Sequence, residues 1–155
     1  MTALSVNKLA EFDPQLKLSA AISDLHFEAK LKALLQAQYK VTAKRTFHFS
    51  ENNCFCQYVA AKHIANLERN LANLDFNNIH INLSEHPALS DYIPSTPALV
   101  IFGQDNELIF LGPYAEGLGC ISGTGLVDKV VENLNSPEQE NSLFITETKG
   151  CYCAT

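Results

Sequence analysis

A chain of 155 residues, 46% hydrophobic and 18% charged, has the length for one domain and the composition of an ordinary soluble globular protein. Its net charge of −6, spread over interspersed acidic and basic residues, argues against general nucleic-acid binding, because neutralising phosphates takes a basic surface. No stretch approaches the roughly 20 apolar residues that span a bilayer, and Met1–Ser5 opens no basic-then-apolar leader. A membrane attachment would have to come through an N-terminal anchor missing from this chain.

Residues 1 to about 15 read as an irregular lead-in, with Asp13-Pro14 as a turn signal. Leu16-Lys17-Leu18 is expected to be a short first strand. Asp24 is a plausible N-cap, and Phe27, Leu31, Leu34 and Leu35 fall at helical spacing, which predicts an amphipathic helix over 25–39. Val41 to Phe49 is β-branched and aromatic, with Phe47 and Phe49 on one face and His48 on the other. After Ser50-Glu51-Asn52-Asn53, apolar residues at 60, 64, 67, 71 and 74 mark a long helix. Ile79, Ile81 and Leu83 alternate with His80 and Asn82 as a strand, and a short helical stretch over 87–92 follows.

Ala98 to Phe102 is a buried-strand run, and Glu107 to Leu111 returns after the turn Gly103–Asn106 as the second arm of a hairpin. A glycine-rich loop, 112–125, carries Cys120 but has no lysine and no phosphate-loop pattern. Leu126, Val127, Val130, Val131 and Leu134 form one face of a last helix, and 135–155 is expected to wrap the surface. The order β-α-β-α-β-α-β-β-α makes a mixed sheet, with early parallel crossovers and a late antiparallel hairpin. No repeat and no linker divides the chain.

The cysteines are the anomaly. Of the five, four form two Cys-x-Cys pairs, Cys54-Phe55-Cys56 and Cys151-Tyr152-Cys153, and Cys120 stands apart. Close pairs of thiols suit disulfide exchange or soft-metal ligation. The odd count leaves at least one thiol outside any full set of internal disulfides. Cys54 stands at the start of the long helix, where unpaired N–H groups and the positive dipole end favour a thiolate. A disulfide between Cys54 and Cys56 would close a small strained ring and be more oxidising than an unstrained one.

Phe47-His48-Phe49 followed by Cys54-Phe55-Cys56-Gln57, and Ser95-Thr96-Pro97-Ala98 ahead of an apolar strand, resemble the two landmarks of the thioredoxin fold: a cysteine motif after a strand and a cis-proline before the hairpin. The resemblance spans residues 16–135 and leaves the lead-in 1–15 and the Cys-x-Cys tail 136–155 outside. It implies an α/β fold, a thioredoxin-like three-layer α/β/α sandwich with a mixed central sheet. The chain also resembles a bacterial thioredoxin-like family that carries Cys-x-Cys in place of Cys-x-x-Cys, a family that supplies no substrate.

By that resemblance Cys54 takes the nucleophile's place, and Thr96 and Pro97, with a cis bond between them, line the site and offer backbone to an extended substrate. The thioredoxin resolving position is Gln57, so Cys56, Cys120 or the tail must resolve a mixed disulfide. His48 lies six residues before Cys54, where thioredoxins place a buried acid, and is a candidate proton carrier. His63 could face the site or solvent. The leading expectation is a thiol–disulfide oxidoreductase using Cys54, Cys56, Cys120 and His48 without a cofactor, on a protein or small thiol/disulfide substrate. One alternative is a copper or zinc module on Cys54, Cys56, Cys120, Cys151 and Cys153. Another is a non-catalytic, disulfide-stapled binding domain.

No peroxidatic cysteine motif, Gly-x-Ser-x-Gly elbow or His-Glu-x-x-His occurs. Paired cysteines point to an oxidising compartment, expected to be the periplasm, in solution or facing it from a membrane anchor; the cytoplasm is the alternative.

Overall fold

Five consecutive residues, Ala98 to Phe102, are wholly buried, as only a strand covered on both faces can be. The computed structural model describes residues 9–117, 125–136 and 142–155. In chain order these form β1 (Ala10–Glu11), α1 (Lys17–Ile22), α2 (Phe27–Gln36), β2 (Arg45–Ser50), α3 (Phe55–Asn73) and β3 (Asn77–Asn82). Two 3-10 turns follow, Leu83–Glu85 and Pro87–Asp91, then β4 (Ser95–Thr96), β5 (Ala98–Phe102) and β6 (Leu108–Pro113). The described chain closes with α4 (Leu126–Glu132), β7 (Leu143–Phe144), β8 (Lys149–Gly150) and β9 (Cys153–Ala154).

The main sheet has the order β3-β2-β5-β6-β7. β2 runs parallel to β3 and antiparallel to β5, β5 and β6 form the antiparallel hairpin, and β7 joins β6 in parallel. Alternation along β5 divides the core. Ala98, Val100 and Phe102 pack with Phe47, Phe49, Leu18, Phe27, Leu31 and Leu35, under α1 and α2. Leu99 and Ile101 pack with Ala60, Ile64, Leu67, Leu71 and Val127 on the other face, under α3 and α4. The fold is therefore α/β, with a mixed sheet between helices.

Three expectations change. Leu16-Lys17-Leu18 belongs to the entry into α1 rather than to a strand. The Asp13 carboxylate accepts the backbone N–H groups of Leu18 and Ser19, at 3.2 and 2.8 Å, and the Ser19 hydroxyl, satisfying donors that a helix start leaves free. The lead-in is not wholly irregular: β1 pairs with β8, and Phe12 and Asp13 are buried. Residues 135–155 do more than wrap the surface. β7 extends the main sheet, β8 and β9 pair with β1 and β4, and Tyr152 is buried.

Candidate functional site

The chain leaves β2 through Asn53, in the left-handed region at φ 61°, a conformation asparagine tolerates better than most residues. The loop is pinned to the end of β3, where the Asn82 amide donates to Asn52 Oδ1 at 2.8 Å. Cys54 then takes the N-cap position of the 19-residue α3, with Cys56 inside its first turn. Opposite, the Thr96–Pro97 peptide bond is cis, and the Thr96 carbonyl oxygen lies 3.8 Å from Cys54 Sγ. Cys54 and Thr96 are thus brought together, with Cys56 one turn into α3 and Pro97 across the cis bond.

The tail completes the cluster. Cys54 is bonded not to Cys56 but to Cys153, and Cys56 is bonded to Cys151. Each Cys-x-Cys pair is cross-linked to the other, and the i,i+2 disulfide weighed from the sequence does not form. Cys153 stands opposite Thr96 in the antiparallel pairing of β9 with β4, and Ala154 stands opposite Ser95. Thr155 extends the contact, its N–H donating to the Pro94 carbonyl and its hydroxyl to that of Ile93, both at 3.0 Å.

Between the tail cysteines, Tyr152 drops into the core. Its hydroxyl donates to the Ala115 carbonyl at 2.7 Å and its ring meets Phe12 edge-on at 5.3 Å. Gly150 permits this, because a Cβ there would fall 2.6 Å from the tyrosine ring. Tyr152 and Phe12 are the residues that sequence reasoning missed. The available signal was an aromatic framed by two cysteines and preceded by glycine.

Cys54 is 9% exposed, whereas Cys56, Cys151 and Cys153 are half-buried. The aromatic side chains of Phe55 and Tyr58 project beside it, 63% and 81% exposed. Glu51 borders the same shallow hollow, and burial raises its carboxyl pKa. Gln57, three residues after Cys54, has its Oε1 buried with no hydrogen-bond partner among the described residues. Cys120 lies outside the described residues.

The two histidines occupy the α3 side of the sheet, away from the sulfurs in their bonding. His48 is buried, with Nδ1 2.5 Å from the Tyr114 hydroxyl and Nε2 2.8 Å from Asn78 Oδ1. The Asn78 amide nitrogen donates to the Glu68 carbonyl, so Oδ1 faces the imidazole and accepts from Nε2–H. Tyr114 therefore donates to Nδ1. Burial holds the His48 pKa down to about 4; the Asn78 hydrogen bond raises it, and His80, stacked at 5.2 Å, adds to the lowering. His63 is buried rather than solvent-facing and pairs its Nε2 with Asp128 Oδ2 at 2.7 Å, tying α3 to α4.

The copper or zinc alternative draws on four sulfurs that are tied here in disulfides and on Cys120. Among the described residues, no group of three or more His, Cys, Asp or Glu side chains is arranged to hold a metal ion. Among the same residues, no helix is long and apolar enough to cross a membrane.

Fold and site together define a mixed α/β domain with a doubly disulfide-bonded cysteine cluster at the end of its sheet. The chain belongs to the DUF6436 family, described as a domain of unknown function, whose family model matches residues 23–155. That span includes both Cys-x-Cys pairs and the cis-proline. No curated protein and no solved structure matches the chain.

Proposed function

We propose that this protein is a thioredoxin-like thiol–disulfide exchange domain acting at Cys54 and Cys56 beside cis-Pro97, in an oxidising compartment such as the periplasm. One observation carries the reading. Cys54 is disulfide-bonded to a cysteine in an extended segment that pairs antiparallel with Thr96, the residue before the cis-proline. That is the arrangement in which an extended peptide would be held during exchange, with the tail in the peptide's place. The sheet order β3-β2-β5-β6, helices on both faces and the cysteine at the start of α3 support the thioredoxin-like assignment.

The chemistry follows from position. A thiolate at Cys54 is stabilised by the free N–H groups and dipole of α3, so it is a good leaving group. His48, neutral near pH 7 and hydrogen-bonded to Tyr114 and Asn78, supports the α3 face rather than carrying the exchanged proton. The test is turnover of a thiol–disulfide exchange assay by the full chain and by Cys54→Ser. Loss of turnover with an unchanged circular dichroism spectrum is expected. Equal turnover in the variant would sink the assignment.

A second reading, the stapled binding domain, draws on Tyr152. A tail anchored by a buried tyrosine, with cross-links to α3 on both sides of it, serves architecture whether or not the sulfurs exchange. The two readings part on reactivity in the folded state. A staple resists a thiol until the chain unfolds, and an exchange site does not.

A further inference from the structure

The crossed disulfides decide which sulfur meets an outside thiol. Resting on the exchange reading above, we propose that the tail cysteines, Cys151 and Cys153, are the entry point of the site. On this proposal a substrate thiol bonds to the tail, and Cys54 or Cys56 is the leaving group.

Two independent considerations agree. The first is access: Cys54 is the most covered of the four and Cys153 is half-buried, so an incoming thiol reaches the tail side of that bond more readily. The second is chemistry. Attack on Cys153 expels the Cys54 thiolate at the start of a 19-residue helix, whereas attack on Cys54 expels Cys153 from a two-residue strand with no such stabilisation. In thiol–disulfide exchange the lower-pKa thiol leaves faster. The same contrast holds for Cys151 and Cys56, which lies in the first turn of α3.

The tail is suited to the role because it stays in place when one bond opens. Tyr152 remains in the core on Ala115 and Phe12, Thr155 stays on Pro94, and the second disulfide is intact. Cys153 is then held opposite Thr96 with its sulfur carrying the substrate.

The step balances with a dithiol substrate. A substrate thiolate attacks Cys153 Sγ, forming a substrate–Cys153 disulfide and releasing the Cys54 thiolate, which takes up a proton. The second substrate thiol, as thiolate, attacks its own sulfur in that mixed disulfide, closing the substrate disulfide and releasing Cys153 as a thiol. The substrate loses two electrons, and the Cys54–Cys153 bond gains them as two thiols. An external disulfide compound, small or protein, reverses this to restore the bond.

The test uses the full chain in its two-disulfide form with Cys120→Ser, which removes the fifth thiol. Reduced glutathione is added briefly, the reaction is quenched in acid, and free thiols are alkylated. Trypsin cuts after Arg45, Lys62 and Lys149, placing Cys54 and Cys56 on 46–62 and the tail cysteines on a fragment starting at Gly150. Fragmentation mass spectrometry then assigns the glutathione to one sulfur. At the earliest times glutathione on Cys153 or Cys151, with an alkylated Cys54 or Cys56, is the expected result. Glutathione on Cys54 or Cys56 with a free tail thiol overturns the proposal and leaves the exchange reading standing. No adduct on the folded chain, with adducts only after denaturant, overturns both.

The variant Cys151→Ser/Cys153→Ser adds a second readout. It should lose dithiol oxidation while Cys54, now a free thiol, alkylates without prior reduction, as it does not in the disulfide-bonded parent. Undiminished dithiol oxidation in that variant overturns the proposal.

Discussion

Cys153 and Thr96 face each other across a two-residue antiparallel pairing, and the carbonyl of Thr96 is 3.8 Å from the sulfur to which Cys153 is bonded. β9 is therefore held at one place by backbone pairing to β4 and, with Cys151, by covalent bonds to the start of α3. Both the chemistry and the stability of the domain converge there.

The two cross-links should be strongly non-additive in stability. They bridge residues 99 and 95 apart, and each joins nearly the same two points of the chain. The first bond to close a loop of that size is worth about 4.7 kcal/mol in chain entropy, and the second, closing a ring of only a few residues, about 2 kcal/mol. Removing either pair, as Cys54→Ser/Cys153→Ser or Cys56→Ser/Cys151→Ser, should thus cost about 2 kcal/mol, and removing both about 6–7 kcal/mol. Denaturant melts of the three variants measure this, and a loss in the double removal equal to the sum of the two single losses would contradict it.

Tyr152 should contribute to stability even when the disulfides are absent. Tyr152→Ala removes a buried ring and is expected to cost about 3–5 kcal/mol, as other buried aromatic truncations do. Tyr152→Phe keeps the ring against Phe12 but leaves the Ala115 carbonyl without this donor, at about 1 kcal/mol. Thermal melts under reducing conditions separate the two.

His48 predicts a pH dependence. Its folded pKa of about 4 lies below the ordinary 6.5, so between those values the unfolded chain binds a proton that the folded chain refuses. Its contribution is full above pH 6.5 and falls as the pH drops toward 4, with a total loss on the order of 3 kcal/mol. In His48→Gln that component of the stability–pH curve between pH 6.5 and 4 should vanish. A slope identical to the parent's would show that His48 is not its source.

Asp128 should be needed as the partner of His63. His63 Nδ1 already has no hydrogen-bond partner among the described residues, so Asp128→Ala would leave the second ring nitrogen buried without this partner as well. A loss of about 1–3 kcal/mol follows from that desolvation. Asp128→Asn, which can still accept through its side-chain oxygen, should recover most of it. Comparing the two by denaturant titration tests the pairing.

Much of the central sheet was legible because its signals are local. The run Ala98–Phe102, the Thr-Pro step before it and the spacing of Ala60, Ile64, Leu67 and Leu71 each specify an element without reference to distant residues. The start of α1 was not, because the feature that makes it a helix is the Asp13 side chain reaching forward over a turn. The cross-pairing of the cysteines is a contact between residues nearly a hundred apart, and two Cys-x-Cys pairs admit it as readily as two local rings. Tyr152 looked like part of a polar tail because its burial depends on Phe12, in a segment that itself carries little periodic pattern.

The wiring also sets an order on biosynthesis. Cys54 and Cys56 leave the ribosome nearly a hundred residues before Cys153 and Cys151 exist. Any bond that Cys54 or Cys56 forms with another sulfur of the chain in that interval, including one to Cys120, has the wrong partner and must be undone before the native pairs can close. The nascent chain must therefore be kept reduced, or be repeatedly corrected, until Cys151 and Cys153 have emerged.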